Sequence, residues 1–126
     1  MFAYSHSITD LSNVSVTFPF SASNVMGMFQ DCQKLKYFPR MSGNVESVYR
    51  MFYYCLAVEE FPDDFFDNLK LEDNYYASSG GAMFMDCKNL KKMPQLKTFF
   101  DAAGSPPRYP EYCLLTQLFY GCSSLK

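Results

Sequence analysis

Cysteine and histidine are the side chains with which a short chain most readily does chemistry, and their spacing here is uninviting. Cys32, Cys55, Cys87 and Cys122 stand 23, 32 and 35 residues apart, without the close Cys-x-x-Cys pairs that mark zinc sites. Cys113 lies off this series, two residues after Glu111 and with no histidine near it in sequence to activate a thiol. Five cysteines cannot all pair as disulfides. His6 is the single histidine, which excludes any site needing two and leaves it without a recognisable nucleophile partner. No nucleophile elbow, phosphate loop or dinucleotide fingerprint is present, and Gly80-Gly81 fits close packing better than phosphate binding. The acidic run Glu59, Glu60, Asp63, Asp64, Asp67, Glu72 and Asp73, offset only by Lys70, lacks calcium-loop spacing and reads as a solvated face. We therefore expect no enzyme, no cofactor and no metal.

What must position these residues is a repeat. The segments MFQDCQKLKYFP from Met28, MFYYCLAVEEFP from Met51, MFMDCKNLKKMP from Met83 and LFYGCSSLK from Leu118 align without gaps. Met1-Phe2-Ala3-Tyr4-Ser5 is a degenerate copy with serine for cysteine, Ile8 and Leu11 taking the later apolar positions. The repeated phenylalanines Phe2, Phe29, Phe52, Phe84 and Phe119 are 27, 23, 32 and 35 residues apart, so the last two intervals carry insertions. Val45, Val48, Phe52 and Cys55, with their counterparts in the other copies, recur at the three- and four-residue steps of one helical face. This spacing predicts a three-turn helix in each copy. The apolar residues after the cysteine, such as Leu35 and Phe38, run into Pro39, Pro62 or Pro94, which predicts a short strand ended by a residue without an amide donor.

One helix and one strand per copy cannot bury an apolar face alone, but stacked copies can. The expected fold is a short α/β solenoid of about five units, with a parallel strand ladder on one face and helices on the other. Its units are 1–19, 20–43, 44–74, 75–110 and 111–126, with insertions near 63–76 and 97–110. The four series cysteines then occupy one inward position each, packed as small hydrophobes. The pattern resembles the BspA-like leucine-rich repeat family, particularly its variant in bacterial surface lipoproteins. Asn44 to Cys55 and Leu118 to Lys126 carry the likeness best. The chain departs from that family in its prolines, in Val58 for leucine and in the two insertions. The resemblance implies a leucine-rich repeat solenoid in surface adhesion or host-protein binding.

Two sets of residues are expected to meet a protein partner. Lys36-Tyr37, Glu59-Glu60 and Lys91-Lys92 fall on successive rungs, where stacking places opposite charges side by side. They either set the register or form a mixed-charge concave surface, with Tyr37, Glu59, Glu60, Lys91 and Lys92 as contacts. The insertions add Tyr75, Tyr76, Phe100, Arg108 and Tyr109 as interface anchors, although Phe65, Phe66 and Phe99 equally suit capping of the core.

The 126 residues are 48% hydrophobic and 18% aromatic, enough to fold as one domain. A net charge of -2 argues against a binder that neutralises many phosphates. No apolar run reaches the ~20 residues of a membrane span, and no signal peptide is visible. The last copy stops without a cap, so the expectation is a fragment of a longer surface protein, or an end covered by a partner or by self-association. Were the chain complete, it would instead read as a cytoplasmic effector or inhibitor, of phage or mobile-element type, that occludes a target protein.

Overall fold

In the structure, a computed structural model describing residues 2–18, 23–71, 82–96 and 118–126, each Met-Phe-x-x-Cys segment folds as a run of tight turns. In the second copy the amides of Met28, Gln30, Cys32 and Leu35 donate to the carbonyls of Val25, Gly27, Phe29 and Cys32, three residues back each time. The third copy repeats this at Met51, Tyr53 and Cys55, and the fourth at Met85, Cys87 and Leu90.

Left-handed backbone on either side of the phenylalanine keeps these segments from being helices. Two residues after it, φ is 62° at Tyr4, 60° at Asp31, 60° at Tyr54, 59° at Asp86 and 78° at Gly121. Two residues before it, φ is 66° at Gly27 and 55° at both Arg50 and Ala82. A right-handed helix cannot pass through such residues. The expected α/β solenoid with a row of helices is thus corrected: no described residue is helical, and no helix among them is long and apolar enough to cross a membrane. The three- and four-residue steps arise because consecutive turns each return one side chain to the interior.

Among the described residues four parallel strands complete the coils: β1 (Ser15–Thr17), β2 (Ser23–Asn24), β3 (Arg40–Ser47) and β4 (Leu69–Leu71). β3 is the hub. Its first half pairs with β1, from Ser15↔Arg40 to Thr17↔Ser42. Gly43↔Leu69 to Val45↔Leu71 join it to β4, and β2 meets it at Ser23↔Val45 and Asn24↔Ser47. The strand expected before Pro39 lies after it. Proline cannot donate, so the ladder starts with the first amide beyond the ring, Arg40 N–H to Val14 O at 3.0 Å; the segment 35–38, where the strand was expected, forms the isolated bridge Asp10↔Tyr37.

The coils are joined by a directional ladder. Phe29 and Asp31 donate to Met51 and Tyr53 of the next coil, Phe52 and Tyr54 to Met83 and Met85, and Phe84 and Asp86 to Leu118 and Tyr120, at 2.7–3.1 Å. Stacking in this register superimposes the phenylalanines. Phe2, Phe29, Phe52, Phe84 and Phe119 form a column with centroids 5.5, 5.6, 5.4 and 5.4 Å apart and planes within 9° of parallel. Phe38 and Phe61 stack at 5.4 Å as a second column, edge-on to the first. Phe65 and Phe66 fold in as fillers, 8% and 1% exposed, so of the two roles open to them they take the core one; Phe99 lies outside the described residues.

Candidate functional site

The cysteines are placed where the repeat puts them. Cys32, Cys55 and Cys87 are buried and Cys122 is half-buried, all as free thiols. Each Sγ donates to the carbonyl of the preceding coil's phenylalanine: Cys32 to Phe2, Cys55 to Phe29, Cys87 to Phe52 and Cys122 to Phe84, at 3.0–3.2 Å. Burial pushes all four thiols above their ordinary range, which suppresses the nucleophilic thiolate. They are rung braces rather than a reactive centre. His6 lies on the surface with Nε2 3.1 Å from Asp31 Oδ2. Asp31 is held below the usual carboxylate range, chiefly by the Gln33 amide and then by His6. Cys113 and Gly80-Gly81 lie outside the described residues, and among the described residues no three His, Cys, Asp or Glu side chains converge as metal ligands.

The concavity with a mixed lining lies where β1 and β3 meet the turn after Pro62. It is a groove of about 240 Å³. Its floor includes Phe38, Met41 and Phe61, each under 7% exposed. Around it stand Lys36, Arg40, Glu60 and Asp64, with Arg40 Nη1 3.6 Å from Asp64 Oδ2. Hydroxyls are supplied by β1 and β3, where Thr17 Oγ1 and Ser42 Oγ lie 3.3 Å apart. Tyr37 is 53% exposed at its edge, with Lys36 Nζ 5.8 Å from its ring centroid.

Of the residues expected to touch a partner, the groove gathers Tyr37 and Glu60. Glu59 and Lys91 are elsewhere, on adjoining rungs: Lys91 N–H donates to Glu59 O at 2.8 Å and its Nζ is 3.4 Å from Glu59 Oε1. Lys92 reaches Asp63 at 2.8 Å instead of Glu60, and that hydrogen bond, with Asp63's charge, raises the lysine's pKa. Tyr75, Tyr76, Phe100, Arg108 and Tyr109 lie outside the described residues. Arg40 was not singled out from the sequence and Asp64 was read as part of a solvated acidic face, though a signal existed: they stand one and two residues after the repeat prolines Pro39 and Pro62 in consecutive copies.

A second polar stripe follows the outside of the turns. The Arg50 guanidinium lies 5.2 and 5.1 Å from the Tyr49 and Tyr53 ring centroids, and Lys88 Nζ lies 5.6 Å from Tyr54. Arg50 Nε is buried there without an acceptor among the described residues. Stacked cations of this kind are held by the ring quadrupole, which steadies a residue forced into left-handed backbone.

Compared with known proteins, the chain matches no family model, no curated protein and no solved structure.

Proposed function

We propose that this chain is a non-catalytic protein-binding module that takes a short extended segment of a protein partner, in surface adhesion or host-protein binding. The observation that carries the reading is the groove edged by Tyr37. An exposed aromatic ring beside an apolar floor, with two cations and two anions around it, is the composition of an interface hot spot with a polar rim. Its volume of about 240 Å³ falls below the roughly 300–1,000 Å³ of small-molecule pockets and suits one or two side chains of a peptide. The mixed charge selects for a partner segment carrying both signs rather than for a polyanion.

The test is selection of peptides from a random library on the immobilised chain, followed by fluorescence anisotropy with the enriched peptide. Tyr37→Ala is expected to weaken binding about tenfold or more. Lys92→Ala, outside the groove, is expected to leave it unchanged. Arg40→Ala disturbs only an exposed ion pair, so any affinity it loses belongs to the partner contact and not to folding. Equal affinity for wild type and Tyr37→Ala would remove the groove from consideration.

A further inference from the structure

Arg50 departs from the other residues of its column. Two residues before the stacked phenylalanine the backbone is left-handed, and the adjoining coils fill that position with Gly27 and Ala82, at φ 66° and 55°. A long cation held at φ 55° is strained, and strain kept at one residue points to a use for its side chain. The guanidinium lies against two rings, 5.2 Å from the Tyr49 centroid and 5.1 Å from the Tyr53 centroid. These contacts fix its setting, and Nε is buried without an acceptor among the described residues. The donors left to meet a partner are the terminal Nη1 and Nη2 groups, which enter no ion pair among the described residues. Two N–H groups on one planar edge match the two oxygens of a carboxylate.

We propose that this cluster, which shares no residue with the Tyr37 groove, is a second binding site, taking a protein segment in which an aspartate or glutamate is flanked by apolar residues. Its surroundings set the charge it accepts. Lys88 Nζ lies 5.6 Å from the Tyr54 ring, and the Tyr53 and Tyr54 centroids are 6.0 Å apart, so the rings connect a second cation to the first. Asp31 and Asp86 hold Tyr54's position on the coils to either side, and their charges oppose a doubly charged phosphate more than a single carboxylate. The apolar part is Met26. It is 56% exposed and holds Tyr49's position on the adjoining coil, whose Gly27 N–H donates to Tyr49 O at 2.9 Å. Methionine, tyrosine and arginine together have the composition of an interface core: the flanking apolar side chain covers Met26 while the carboxylate meets Arg50.

The test is an NMR titration of the isotope-labelled 126-residue chain with acetyl-Leu-Glu-Leu-amide as the probe. The buried Nε–H makes Arg50 its own reporter. That resonance and the Tyr49 and Tyr53 amides are expected to shift together, with half-saturation near ~1 mM. Acetyl-Leu-Gln-Leu-amide is expected to move none of them. Acetyl-Gly-Glu-Gly-amide is expected to bind at least about fourfold more weakly, the worth of one buried methylene group or more. Arg50→Gly, which places at this position the residue type of Gly27, is expected to keep the circular dichroism spectrum and lose the tyrosine amide shifts. Should that variant unfold, Arg50→Lys serves instead: it keeps the charge without the planar edge and is expected to raise the half-saturating concentration about tenfold. The proposal is overturned by the absence of a saturable shift, by equal shifts from the Glu and Gln peptides, or by equal affinity for the Leu- and Gly-flanked ones. Inorganic phosphate half-saturating at a lower concentration than the Glu peptide, or folded Arg50→Gly or Arg50→Lys chains that bind like wild type, would overturn it as well.

Discussion

Ala82 shows what the turn unit asks of a single residue. It is 2% exposed and held at φ 55°. In a helix interior, glycine in place of alanine costs about 1 kcal/mol. In left-handed backbone the same change removes a Cβ penalty of about 1–2 kcal/mol and gives up about 0.8 kcal/mol of methyl burial. Ala82→Gly is therefore expected to leave the urea midpoint unchanged or slightly raised. Ala82→Val, branched and overpacked, is expected to lower stability by about 2 kcal/mol or more. The reverse ordering in equilibrium denaturation would restore the helix. Gly27, Asp31, Asp86 and Gly121 are residue types that tolerate left-handed backbone, but Tyr4, Arg50, Tyr54 and Ala82 share their positions and are not. The repeat columns mixed the two kinds, and this hid the turns behind a helical spacing of apolar residues.

At the scale of elements, β3 depends on Gly43. Its φ is 110°, and a Cβ there would collide with the Phe18 carbonyl, at the point where β3 passes from pairing with β1 to pairing with β4. Gly43→Ala is expected to cost about 1–3 kcal/mol, read as a fall in thermal midpoint; a midpoint equal to wild type would mean that β1 and β3 are not held at this spacing. The strands themselves were only half legible. Parallel stacking of copies and the rung pairing of Lys91 with Glu59 follow from the alignment, because equivalent positions must superimpose. Which side of Pro39 the strand occupies does not, since a residue without an amide donor can close a ladder or precede one. Tyr37 and Glu60 were found because they sit on rungs; Arg40 and Asp64 belong to the groove through the chain's change of direction after each proline, which apolar periodicity does not record.

Across the whole molecule the buried thiols link stability to pH. Burial raises Cys55 and Cys87 above their ordinary range, while unfolded thiols ionise near pH ~8.5. Below that pH both states hold the proton and the thiols add no slope. Above it the unfolded chain binds fewer protons, so stability falls as pH rises. The urea midpoint is expected to decline from about pH 8 to about pH 10, and a Cys55→Ala, Cys87→Ala chain to decline less steeply. If the two chains decline in parallel, the thiols are not titrating from a buried state. The phenylalanine column has a different consequence, for how the molecule tolerates change in its own length. Ring spacing stays between 5.4 and 5.6 Å although successive phenylalanines are 23 to 35 residues apart. One corner of every coil therefore acts as the spine of a book whose pages differ in width: sequence added beyond the turns widens a page, and a single residue added between Phe and Cys would break the binding.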